Sequence, residues 1–235
     1  NNGNGASFSY QAIANTALGS KALYANTTGY FNTATGYQSM VSNTMGNKNV
    51  ATGYQALFSN TIGEGNTAAG YQAFFSNTTG NFNTATGEQA LYYNVGGNNN
   101  TATGVQALLS NTNGNYNTAS GFHALLSNTT GSGNTANGLS SLFHNTTGSG
   151  NTANGLSSLF HNTTGYSNVA MGKDALFSNT VRPNLVAVGD SALYNNGTGA
   201  SGAVQARFNT AIGSKALFAN TIGSNNTANG YQSMF

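Results

Sequence analysis

Apolar and polar positions along this chain recur with a period of 17 residues, written thirteen times. The unit reads N-T-A-x-G-x-x-A-L-aromatic-x-N-T-x-G-x-x, and successive copies open at Asn15, Asn32, Asn49, Asn66, Asn83, Asn100, Asn117, Asn134, Asn151, Asn168, Leu185, Asn209 and Asn226. A fixed period this short predicts coils of a stacked solenoid, none of which can bury its apolar face alone. An extended residue advances ~3.3 Å, so a 17-residue unit closes a flattened loop with two faces. The pattern therefore predicts two short strands and two turns per coil, stacked as a parallel β-solenoid. A helix-containing repeat needs about 20 or more residues per unit, and only about eight lie between the turn signals here.

The columns predict what faces inward. The third position is always Ala and the fifth always Gly, which leaves no room for larger side chains and implies close backbone packing. The ninth position is Leu, Met or Phe throughout. Leu23, Leu57, Leu91, Leu108, Leu125, Leu142, Leu159, Leu176, Leu193 and Leu217 are thus the expected core ladder. The twelfth is Asn in every complete coil, and Asn26, Asn60, Asn77, Asn111, Asn128, Asn145 and Asn162 are the expected members of an amide ladder. Stacked in-register Asn side chains bond to their copies above and below, and the same is expected of the Asn that opens each unit. The tenth position is mostly aromatic (Tyr24, Phe58, Phe75, Phe143, Phe177, Phe218) and is expected to fill the core or an inter-chain seam.

Departures from the period mark boundaries. Residues 1–14 read as a truncated first coil, with Ser9, Ala12 and Ile13 on the Gly, Ala and Leu columns. Residues 15–184 are regular repeats, 185–208 form a coil seven residues longer than the rest, and 209–235 resume the period. The extra residues around Gly197 to Gly202 are expected to bulge as a loop, while Arg182-Pro183 replaces the usual turn one coil earlier. The first residue is not Met and Phe235 falls inside a coil, so the chain is expected to be an excerpt of a longer, exported protein.

The segments 209–217 (N-T-A-I-G-S-K-A-L) and 185–193 (L-V-A-V-G-D-S-A-L) resemble the S-V-A-I-G-x-x-A unit of trimeric autotransporter adhesin heads, the YadA-like heads. They are also similar to the repeat arrays of phage-type tail-fibre proteins. The likeness extends over residues 5–235, although the repeat of the family is shorter. It implies a homotrimeric β-roll at a cell surface or on a virion fibre, attached to a glycan or a host receptor.

Composition narrows the functional classes. Only 4% of residues are charged and the net charge is +2, too little for a nucleic-acid footprint or a basic membrane patch. There is no cysteine, hence no disulfide and no thiolate metal site. No apolar run is long enough to span a bilayer. Among the four acids, Asp174 and Asp190 occupy neighbouring columns of adjacent coils, and Lys173 shares the column of Asp190; the simpler expectation there is a cross-coil ion pair. Lys48 and Glu64 are a second such pair. His144 and His161 share a column in two nearly identical coils, a candidate metal or anion site if that column faced a trimer axis, and otherwise a duplicated surface residue. The Tyr-Gln pairs at Tyr37, Tyr54 and Tyr71 are candidates for carbohydrate stacking. The N-T-T triplets at Asn26, Asn77, Asn128, Asn145 and Asn162 match the glycosylation sequon, as a chain rich in Asn and Thr does by chance. No cofactor motif and no catalytic set is present. The function expected is structural and adhesive, without catalysis. The alternatives are the subunit of an end-to-end filament and an ice-binding solenoid, since the Thr-Ala-Thr segments (Thr33, Thr35; Thr84, Thr86; Thr101, Thr103) are similar to the flat Thr arrays of that class.

Overall fold

The computed structural model describes residues 12–235, so most of the truncated first coil lies outside the described residues. The chain is all-β, a parallel β-solenoid with turns about 17 residues apart and no helix among the described residues. Two compact units divide it, the first ending at Tyr116 and the second starting at Asn117. The first unit holds β1 (Thr16–Leu18), β2 (Thr33–Thr35), β3 (Val50–Thr52), β4 (Thr67–Ala69), β5 (Thr84–Thr86) and β6 (Thr101–Thr103). The second holds β7 (Thr118–Ser120), β8 (Thr135–Asn137), β9 (Thr152–Asn154), β10 (Val169–Met171), β11 (Val186–Val188), β12 (Thr210–Ile212) and β13 (Thr227–Asn229). Within each unit the strands pair in chain order, parallel and in perfect phase: Ala34 lies opposite Ala51, Ala51 opposite Ala68, Ala136 opposite Ala153.

Each coil contributes one strand, not the two expected. The segment from the sixth to the eleventh position is a run of turns in which the seventh and ninth residues adopt left-handed φ: Gln55 at 52° and Leu57 at 53°, Gln106 at 55° and Leu108 at 53°. Left-handed geometry costs a non-glycine residue roughly 1–2 kcal/mol. Here it is maintained because it turns the peptide planes along the stacking direction. The Leu57 N–H then donates to Ala73 O at 3.0 Å, Ser59 N–H to Phe75 O at 3.0 Å, and Gln72 N–H donates back to Tyr54 O at 2.9 Å. Backbone groups that an extended return strand would have paired are thus satisfied coil to coil by another route.

The interior is narrow and full. Leu57, Leu91, Leu108, Leu125, Leu142, Leu159, Leu176 and Leu193 are completely buried, and Leu23 and Leu217 nearly so; Met40 and Phe74 fill the same column. The Ala of each strand from β2 to β12 is also fully buried. At the fifth position a side chain is excluded by backbone alone: at Gly53 (φ +136°) a Cβ would lie 2.3 Å from Gly70 O. One chain therefore closes its own apolar core, and burial against a second chain is not what shuts the Leu ladder.

The long coil keeps its register. Val186 pairs with Thr210 across a step of 24 residues, so the seven additional residues are accommodated outside the strand. Arg182 is nearly buried and clasps this excursion, its Nη2 donating to Ala200 O at 2.7 Å and its Nη1 to Gly202 O at 3.0 Å.

Candidate functional site

Among the described residues nothing gathers into a cleft; what recurs is a set of columns, some buried and some exposed. Inside, the twelfth-position Asn side chains form a directional amide ladder. In the first unit Asn43 Nδ2 donates to Asn26 Oδ1 (2.9 Å), Asn60 to Asn43 (2.7 Å), Asn77 to Asn60 (2.7 Å), Asn94 to Asn77 (3.4 Å) and Asn111 to Asn94 (2.6 Å). In the second unit Asn145 donates to Asn128 (2.8 Å), Asn162 to Asn145 (2.8 Å) and Asn179 to Asn162 (3.1 Å). Each also ties its own turn, as Asn60 Nδ2 does to Gly63 O at 3.0 Å. The ladder is interrupted after Asn179 and resumes beyond the long coil, where Asn220 Nδ2 donates to Asn196 Oδ1 at 3.0 Å. The next amide, Asn196, is drawn to Ala206 O in the long coil, and the buried Oδ1 of Asn179 has no partner.

The Asn that opens each coil forms the expected amide-to-amide stack in part, Asn83 Nδ2 donating to Asn66 Oδ1 at 3.3 Å, Asn100 to Asn83 at 3.1 Å and Asn151 to Asn134 at 3.1 Å, and it bonds to backbone as well. Its Oδ1 accepts the backbone N–H of the next such Asn, as Asn49 N–H to Asn32 at 3.0 Å, and its Nδ2 reaches a glycine carbonyl, as Asn49 to Gly63 O at 2.8 Å. Since the sequon residues Asn26, Asn77, Asn128, Asn145 and Asn162 are all fully buried, the folded chain offers none of them for glycosylation.

The aromatic column is not core, contrary to one of the two expectations for it. Phe58, Phe75 and Tyr92 are half-buried and stack face to face at 4.8 and 5.0 Å; Phe143, Phe160, Phe177, Tyr194 and Phe218 do the same at 5.0–5.3 Å. Tyr37, Tyr54 and Tyr71 form a more exposed stack at 5.5 and 5.2 Å. In the middle of a stack both ring faces are covered by neighbours, so the surface presents ring edges, which is poor geometry for a sugar that needs a bare face. Beside the Tyr column runs a Gln ladder, with Gln55 Nε2 donating to Gln38 Oε1 at 2.8 Å, Gln72 to Gln55 at 2.9 Å, Gln89 to Gln72 at 3.4 Å and Gln106 to Gln89 at 2.9 Å.

The titratable residues remain dispersed. His144 and His161 stack in parallel, 5.4 Å between centroids, and each meets the adjacent Phe rings edge-on. Burial, and secondarily the neighbouring His144, lowers the pKa of His161 from its ordinary 6.5. Among the described residues no three metal-ligating side chains converge. The expected cross-coil ion pairs do not form: Lys173 Nζ turns to Asp174 within its own coil at 3.7 Å, and the Asp190 carboxylate accepts from Ser191 Oγ at 3.3 Å. Lys173 is largely exposed, so this pair is worth little.

The outward side of the sheet carries the second and fourth residues of each coil, the first and third of each strand. From β2 to β6 these are Thr33 and Thr35, Val50 and Thr52, Thr67 and Ala69, Thr84 and Thr86, Thr101 and Thr103. Threonines at the thirteenth position donate their hydroxyls to the next coil, as Thr27 to Thr44 O and Thr61 to Thr78 O, both at 3.0 Å. The sheet threonines from β2 to β6, by contrast, make no side-chain hydrogen bond among the described residues. The sequence had shown the Thr pattern; which threonines keep their hydroxyls for water was decided by the fold. No family model, no curated protein and no solved structure matches this chain.

Proposed function

We propose that the chain is a non-catalytic structural and adhesive segment of an extracellular fibre or head, acting at a cell surface or on a virion fibre. The observation that carries this reading is an almost uncharged exterior bearing exposed aromatic residues coil after coil, Tyr37, Tyr54, Tyr71, Phe82 and Tyr93 among them. Apolar patches repeated along a surface mark an interaction site rather than ordinary solvent-facing structure. Ring edges in register suit a partner that is itself apolar and periodic, such as another copy of the chain in a homotrimer, or a receptor surface. The solenoid contributes mechanics: backbone and amide ladders fix the coil spacing, so the displayed columns keep their register under load.

Light scattering on the chain, followed by attachment to cells, tests the reading in two independent steps. A mass of three chains supports self-association, and a single-chain mass removes the trimer while leaving attachment open. Replacing Tyr37, Tyr54 and Tyr71 together by Ser should lower attachment with little change in thermal stability. Undiminished attachment by that variant would remove the Tyr column from the reading.

A further inference from the structure

Independently of the attachment reading, we propose that the outward face of β2 to β6 binds ice. The face is a net of short β-branched side chains. Every intervening Ala, from Ala34 to Ala102, is fully buried, so both flanking residues of each strand point away from the core. Along a strand the rows stand roughly 6.6 Å apart, and between coils ~4.8 Å. The strands pair in phase at each step, so the net has no dislocation from Thr33 to Thr103.

Three properties select frozen water over a polar macromolecule. First, the hydroxyls of Thr33, Thr35, Thr52, Thr67, Thr84, Thr86, Thr101 and Thr103 are unused by the protein, whereas the thirteenth-position hydroxyls are consumed coil to coil. Second, each Thr offers a methyl beside its hydroxyl; methyls restrict the orientation of first-shell water, and hydroxyls can anchor that ordered layer. Val50 keeps the γ-methyl, and Ala69 alone lacks both the γ-methyl and the hydroxyl. Third, no charged residue stands on the net, so nothing on it organises water radially about an ion. Thr is stiff at χ1 and the sheet beneath is packed without slack, so little order remains to be imposed on binding. The second unit lacks the net, because its fourth column runs Ser120, Asn137, Asn154, Met171, Val188, Ile212 and Asn229, side chains of unlike shape.

The test is thermal hysteresis and ice-crystal shaping by the full chain, with dye-labelled protein adsorbed to a single ice crystal. The expected result is a gap between melting and freezing points and faceted crystals. Thr52→Tyr and Thr86→Tyr, which raise a ring above the net, should each abolish most of the gap at unchanged circular dichroism. Ala69→Thr, which completes the net, should widen it, and this gain decides the matter if a Tyr variant fails to fold. Crystals that grow as in buffer, or Tyr variants that fold and keep the full gap, overturn the proposal. Neither outcome touches the aromatic columns, so attachment stands or falls separately.

Discussion

Replacing Asn60 by the near-isosteric Leu removes one rung of the buried amide ladder while roughly preserving its volume. Three hydrogen bonds vanish: Asn60 Nδ2 to Asn43 Oδ1, Asn60 Nδ2 to Gly63 O, and Asn77 Nδ2 to Asn60 Oδ1. Not all of the stranded groups are orphaned. Gly63 O still accepts from Asn49, and Asn77 Nδ2 still donates to Gly80 O. The Asn43 oxygen loses its ladder donor in a fully buried position. A buried acceptor left bare costs about 1–3 kcal/mol and each further lost bond about 1, so the expected destabilisation is about 3 kcal/mol. Asn179→Leu is the internal control. It strands Asn162 Oδ1 in the same way, but it also deletes an acceptor that already lacked a donor, and only two bonds are lost. Its expected cost is about 1 kcal/mol. Urea unfolding followed by circular dichroism measures both, with amide exchange in the flanking coils to show how far the damage spreads. Equal losses at Asn60 and Asn179 would refute the claim that the ladder, rather than the packing of the column, carries the energy.

Other expectations follow from the same columns. Gly70→Ala puts a Cβ 2.5 Å from Gly87 O and should cost about 3 kcal/mol as a backbone collision, whereas Gly199→Ala meets nothing within 4 Å and bears only its left-handed φ of 73°, about 1 kcal/mol; thermal melts separate them. Leu108→Asp buries an unpaired charge and should unfold the neighbouring coils, while Lys48→Ala should be nearly silent; equal shifts in melting temperature would contradict the core assignment. Because His161 has a folded pKa below its ordinary 6.5, the unfolded chain takes up its proton first. Stability is therefore complete above that value and falls as pH drops through it towards the folded pKa, and His161→Phe should flatten the stability profile on the acid side of 6.5. Arg182→Met releases Ala200 and Gly202 from the guanidinium, and limited proteolysis should then cut within residues 197–206 before anywhere else.

The solenoid and its core were legible in the sequence because a period carries its own alignment: thirteen copies fix which columns never vary. The Leu and Ala columns and the twelfth-position Asn could be named by number on that basis. The return side of the coil could not. Propensity reserves left-handed φ for Gly and Asn, yet Gln55, Leu57 and their copies adopt it, because coil-to-coil hydrogen bonds outweigh the local preference. The aromatic column is apolar enough for a core but sits half-exposed, since Leu and Ala already fill the narrow interior. Lys173 prefers the carboxylate beside it to the one a coil away, a choice made by rotamers rather than by columns. The clasp of Arg182 on the long coil had only one sequence signal, the broken turn at Arg182-Pro183, and nothing there named Ala200 or Gly202 as its partners.

The amide ladders have a direction. In the first unit every twelfth-position Asn, and every Gln from Gln55 to Gln106, points its N–H towards the lower-numbered coil and its oxygen towards the higher. Two parallel rows of aligned amide dipoles therefore add instead of cancelling, and chained amides polarise one another. These two rows are each polar along the stacking direction, with N–H ends towards the low-numbered coils, while the Asn81 and Asn98 amides and the thirteenth-position Thr hydroxyls donate the other way. Reversing a single amide would set two donors and two acceptors face to face, so the polarity is held collectively and switches for the whole row or not at all.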